Sequence, residues 1–212
     1  MYNDTNKQLK QLYDRFSGAT KPVHRAYMQS IHALINLTEA RDPYTKRHSV
    51  KVSNYAVLLA KAINLSKKEV ETIRLAAILH DIGKVGIKGK ILLKDGSLNS
   101  KEFKEVQKHS EIGAEIIKPL KFFGPIVSII RNHHENYDGT GYPDGLKGED
   151  IPLASRILSI ADAYDALTSK RAYREAYPAK GAERIMKKEA GKKFDAALLE
   201  KFMDCLHRSG KG

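Results

Sequence analysis

Seven side chains of metal-ligating type recur at telling places in this 212-residue chain: His48, His80, Asp81, His109, His133, His134 and Asp162. Each lies on, or next to, an apolar stripe of helical spacing. Val52, Ala56 and Leu59 follow His48, while Ile73 and Ala77 precede His80. Val106 leads into His109, Ile126, Ile129 and Ile130 into His133, and Leu158 into Asp162. One histidine on an apolar face is usually a hydrogen-bonded core residue. Five imidazoles and two carboxylates in one interior are harder to dismiss. An ionised group buried without compensation is strongly destabilising. Divalent metals remove that problem, because neutral imidazole and carboxylate are their ligands. The set is too large for one tetrahedral zinc. It suits two ions about 3.5–4 Å apart, bridged by a carboxylate and a water. Adjacent helical residues point about 100° apart, so His80–Asp81 and His133–His134 could each serve two ions, with Asp81 as the bridge.

The elements that must position these groups are helices. Period-two strand patterns are almost absent. The break "SGATKP" sets off the first residues as an N-terminal helical extension, assigned to 1–25. Val23, Tyr27, Ile31 and Leu34 form the next helical stripe. Asp42-Pro43 opens a helix over 43–64, and Ser66 to Glu69 is a capping box for a helix ending at Gly83. Asn99 to Glu102 caps a helix carrying Val106, His109, Gly113 and Ile116 on one face. Gly124-Pro125 opens another, and Pro152 precedes one with Leu158, Asp162 and Asp165 on one side. Two amphipathic helices near 179–190 and 195–208 follow, separated by Gly191 as a C-cap. The fold class is all-α: a single compact helical domain with a long Gly-rich loop over 135–152. Glycines at 139, 141, 145 and 148 suit positive φ or close backbone approach there.

Composition excludes several classes. The one cysteine, Cys205, rules out an internal disulfide framework and fits a reducing cytoplasm. No stretch approaches the length of a membrane span, and the start lacks the apolar core of a signal peptide. The net charge of +12 favours phosphate-bearing ligands. No aromatic-interleaved basic stripe is present, so no nucleic acid is expected.

"HDIGKVGI" (80–87) resembles the HD superfamily of metal-dependent phosphohydrolases, and "HHENYDGTGYP" (133–143) is similar, position for position, to the signature of its HD-GYP branch. "ARDPYTKRHS" (40–49), "LAAILHDIGK" (75–84), "IPLASRILSIADAYDALTSKRAYR" (151–174) and "GKKFDAALLEKF" (191–202) extend the resemblance in order and spacing. It implies an HD-type helical catalytic domain over 26–208 and hydrolysis of the bacterial second messenger cyclic di-GMP to pGpG, with GMP as a further product. It also implies a metal-ligand role for the seven residues above and a binuclear centre of iron or manganese, with zinc, nickel or cobalt as alternatives. Lys84 matches a phosphate-contacting lysine. Tyr142 lies in the "GYP" loop bordering the substrate, and Arg171 and Arg174 resemble residues that hold the substrate phosphate, a task suited to a guanidinium fork. Asp81 and Lys84 are the implied catalytic pair. Glu135 and Asp138 read as loop-shaping carboxylates.

Three positions depart from the family pattern. Lys88 stands where proline is frequent, Arg47 where glycine is common, and Tyr44 where some members carry a glutamate for a third metal. Two rival readings stay open: a cyclic-dinucleotide-binding module without turnover, and a phosphohydrolase for another nucleotide. Regulatory or diguanylate cyclase proteins are the expected partners. Oligomeric state is left open.

Overall fold

The computed structural model describes residues 29, 33–37, 45–94, 96–120, 123–170 and 175–208. The 1–25 extension, Tyr44, Arg171, Arg174 and most of the stripe from Val23 to Leu34 lie outside them. Among the described residues there is no β-strand. The helices are α1 (Thr45–Ala62), α2 (Lys67–Leu79), the one-turn α3 (Gly89–Leu92), α4 (Ser100–Gln107), α5 (His109–Ile117), α6 (Gly124–Asn132), α7 (Leu153–Thr168), α8 (Ala179–Lys188) and α9 (Ala196–Arg208). A 3-10 turn, Ile82–Gly86, follows α2, and another, Gly148–Asp150, precedes α7.

α1 is central, packing on α2, α7 and α9. Its buried face is Val52, Ala56 and Leu59, as the spacing predicts. Tyr55 of α1, Tyr164 of α7 and Phe202 of α9 meet edge to face, with ring centroids 5.0, 5.3 and 6.0 Å apart. Such pairs contribute about 0.5–1.5 kcal/mol each beyond their burial. They lock the helix that carries His48 to the helix that carries Asp162.

Both capping boxes form. Ser66 accepts from the Glu69 amide while Glu69 accepts from the Ser66 amide, and Asn99 with Glu102 repeats the pattern. Each satisfies two otherwise orphaned donors at a helix start. Lys88 has φ −61, a value proline shares, so the position tolerates either residue.

Three boundaries differ from expectation. α2 stops at Leu79, with His80 as its C-cap, and the chain tightens into the 3-10 turn instead of continuing helically to Gly83. The single helix expected beyond Asn99 is two, broken at Lys108, so His109 begins α5. Gly191 (φ 75) does not cap α8, whose C-cap is Glu189; it opens the turn 190–194. The candidate ligands occupy different positions along their helices. His48 and His109 lie in first turns, His80 and His133 are C-caps, and Asp162 is mid-helix.

Candidate metal centre

The helices deliver all seven candidate ligands to one place. His109, His133 and His134 form one triad with ligand atoms within 4.8 Å of one another; His48, His80 and Asp162 form a second. Asp81 lies between them. Its Oδ1 is 3.6 Å from His109 Nε2, and its Oδ2 is 3.5 Å from His80 Nε2 and 4.0 Å from His48 Nε2. One carboxylate thus turns one oxygen to each triad.

Ring orientation follows from the backbone. Nδ1 of His80 donates to the Ala77 carbonyl at 2.8 Å, that of His109 to Val106 at 2.7 Å, and that of His133 to Ile130 at 2.6 Å. A carbonyl can only accept, so the Nδ1 of each ring carries a proton and Nε2 is the nitrogen turned to the cluster. His48, in the first turn of α1, turns its Nδ1 to Asp165 Oδ2 at 2.7 Å and its Nε2 to Asp162 Oδ1 at 3.2 Å.

The electrostatics suit cation binding. Burial, with His80 and His109, pushes His133 down to about 3. Burial, with His133 and His109, holds His134 well below its ordinary value, and burial also lowers His109. These three rings are therefore neutral at neutral pH, the form that ligates metal. Burial alone would lower His48, but hydrogen bonds to Asp162 and Asp165 outweigh it and push it up to about 9. Burial would raise Asp81 and Asp162, yet Lys84 and the imidazoles keep the first ionised, and His48 keeps the second so. Paired anions and neutral imidazoles around one centre are a donor set for divalent cations.

The Gly-rich loop closes one side. Tyr142 donates its backbone amide to the His134 carbonyl at 3.3 Å, and its ring lies 5.0 Å from the His134 ring. The bond to Pro143 is cis. Glu135, buried, shapes the loop as expected, accepting from the Asp144 and Gly145 amides at 2.7 and 3.1 Å. Asp138 accepts from the amide and hydroxyl of Thr140. A Cβ on Gly141 would collide with the Asn136 amide and the Glu135 backbone, so only glycine fits that return of the chain. The loop rests on the turn before α9, where Tyr137 and Asp138 donate to the carbonyls of Lys193 and Lys192 at 3.2 and 2.8 Å.

The sequence pattern that defines the HD domain family matches residues 32–198. The chain belongs to the HD domain family. The HD domain is similar to longer curated proteins. It is 37% identical over 191 residues to the cyclic di-GMP phosphodiesterase response regulator RpfG of Xanthomonas campestris, a match covering 89% of this chain and 50% of that protein. It is 38% identical over 189 residues to 3'3'-cGAMP-specific phosphodiesterase 3 of Vibrio cholerae, covering 87% and 41%. The chain thus spans about half the length of the curated relatives it matches. Among solved structures, the cyclic GMP-AMP phosphodiesterase V-cGAP3 of V. cholerae superposes with a TM-score of 0.66 at 19% identity, over 85% of this chain and 49% of that one. The HDG"Y"P protein Bd1817 of Bdellovibrio bacteriovorus gives 0.64 at 20%, over 95% and 78%. These two show the all-α HD fold.

Within the HD domain, Lys84 lies at the centre, its Nζ 2.8 Å from Asp81 Oδ2. Arg171 and Arg174 fall outside the described residues. The sequence places Asp165 on the same helix face as Asp162 but assigns it no role at the site; it is wholly buried against His48. Gly83 likewise reads from sequence only as a helix end. Among the described residues no helix is long and apolar enough to cross a membrane.

Proposed function

We propose that the chain is a metal-dependent phosphodiesterase that hydrolyses cyclic di-GMP to pGpG and onward to GMP, acting in the cytoplasm. The observation that carries this reading is the placement of Asp81 between two ligand triads, with the Lys84 ammonium on it. The relatives' names support the substrate class. Residues 26–208 are taken as the catalytic domain and 1–25 as its extension.

His48, His80 and Asp162 would hold one ion, His109, His133 and His134 a second, and Asp81 both. Bound ions, iron or manganese on this reading, would supply positive charge for the phosphate oxygens and acidify a water. Lys84 would place its ammonium against a nonbridging phosphate oxygen, where charge accumulates as phosphorus is attacked. Burial, reinforced by Asp162 and Asp81, pushes the Tyr142 phenol up, so it meets the substrate uncharged. Its position beside His134 suits a wall of the binding cleft. Arg171 and Arg174, which follow α7 in the sequence, would hold the substrate phosphate.

A second substrate is favoured by a specific observation: relatives named for 3'3'-cGAMP match as closely as those named for cyclic di-GMP, at 38% and 37% identity. Metal-defined purification under reducing conditions, followed by chromatography of products from both dinucleotides, tests the reading. Release of pGpG from cyclic di-GMP at the higher kcat/KM is expected. Preferred turnover of 3'3'-cGAMP would reassign the substrate. Tight binding without products would reassign the chain as a receptor.

A further inference from the structure

We propose that Asp165 is a positioning residue for one half of the metal centre: it aims His48 at the cluster. The inference rests on the metal reading above.

His80, His109 and His133 are each oriented by a carbonyl three residues earlier in the chain. That tether is built into the local backbone. His48 uses a side chain 117 residues away, the Oδ2 of Asp165 at 2.7 Å. α7 therefore grips the His48 ring from both sides, with Asp165 on Nδ1 and Asp162 on Nε2 at 3.2 Å. The two carboxylates are one helical turn apart, the spacing that puts them on one face. With Nδ1 committed to an acceptor, Nε2 is left for Asp162 and the ion that the two would share.

Asp165 is itself held. It is 0% exposed, its Oδ1 accepts from Ser169 Oγ at 3.0 Å, and Lys51 Nζ lies 3.7 Å from Oδ1 and donates to Ser169 Oγ at 3.0 Å. A carboxylate in a dry interior is costly unless its lone pairs are taken up. Here the donors come from α1 and from the residue just past α7, so the carboxylate is kept at a fixed place. Outer groups of this kind typically alter metal affinity 10- to 100-fold when removed.

The geometry also predicts selectivity. His48 belongs to the triad with His80 and Asp162 and not to the triad of His109, His133 and His134. A loss of aim at His48 should weaken one ion and spare the other. The test is calorimetric titration of the metal-free full chain with Mn2+, backed by elemental analysis, in wild type, D165N and D165L. Asparagine keeps an oxygen acceptor for Nδ1; leucine keeps the volume and removes it. In D165L one of two binding events should weaken roughly 10- to 100-fold. D165N should stay within a few-fold of wild type. Equal binding in D165L and wild type overturns the proposal, as does equal weakening in D165N and D165L, which would make charge and not aim the cause. Parallel weakening of both ions with a lowered melting temperature would show a general structural role and also overturn it. Should D165L fail to fold, S169A carries the test by releasing the same carboxylate more gently. A several-fold loss at one ion is then expected, and no change overturns the proposal. If the wild type itself takes up no ion, the metal reading fails as a whole, an outcome distinct from every one above.

Discussion

Gly83 sits directly against the backbone of His109. A Cβ at Gly83 would run into the His109 carbonyl oxygen and crowd the Gly113 amide. The 3-10 turn after Asp81 therefore rests on the first turn of α5, which brings the Asp81 carboxylate to 3.6 Å from the His109 imidazole. Gly83→Ala should push the two segments apart. Overpacking of this kind costs about 1–3 kcal/mol. The variant should melt several degrees lower and bind less metal. A Gly83→Ala protein with wild-type melting temperature and metal content would show that the close contact is not required.

Asp81→Asn keeps shape and removes charge at the carboxylate that lies between the two triads. Metal content should fall by at least one ion per chain, from an expected two. Hydrolysis of cyclic di-GMP should drop to a few per cent or less. Elemental analysis and product chromatography on the same sample check both halves. An active, fully loaded variant would remove Asp81 from the bridging role.

Arg131 grips Asp144 with a fork, Nε to Oδ2 at 2.8 Å and Nη2 to Oδ1 at 2.6 Å, and Asn132 adds a third bond at 2.8 Å. These residues immediately precede the paired histidines and follow Tyr142-Pro143, so the pair closes the loop over the centre. Both side chains are one-third exposed, which limits the pair to about 0.2–1 kcal/mol. Arg131→Ala or Asp144→Ala should raise KM roughly two- to five-fold, as 1.4 kcal/mol is tenfold, with metal content unchanged. The exchanged pair, Arg131→Asp with Asp144→Arg, should recover part of the loss. Additive losses in the exchanged pair would exclude the pairing as the cause.

Metal removal should destabilise the protein and make it acid-labile. An ion present at 100 times its Kd stabilises the folded state by about 2.7 kcal/mol. Chelation should therefore lower the melting temperature by several degrees. In the metal-free protein His133 titrates at about 3, below its ordinary 6.5. A depressed histidine leaves the unfolded state binding more protons, so stability falls as pH drops from about 6.5 toward 3. His48, raised to about 9, contributes stability that is lost above its ordinary 6.5 and is nearly constant below it, so it does not reverse the trend. Denaturant midpoints measured with and without metal at several pH values check this. A metal-free midpoint that is flat between pH 6.5 and 4 would contradict it.

The sequence by itself determined the helical class, both capping boxes and the seven residues that converge. Those features are local: a capping box is closed within four residues, and a histidine on an apolar stripe is buried wherever that stripe packs. The resemblance of "HDIGKVGI" and "HHENYDGTGYP" to a known family carried the functional expectation further than spacing could. Only the tertiary structure decided which ligands share a triad, that the helix after Asn99 breaks so that His109 starts a new one, and that Asp165 stands behind His48. The first depends on how α1, α2, α5, α6 and α7 cross. The second is a local turn at Lys108, whose amide donates to the Glu105 and Val106 carbonyls, and the apolar spacing on either side does not mark it. The third joins residues 117 apart by a hydrogen bond, and no periodicity within one segment encodes a bond between two.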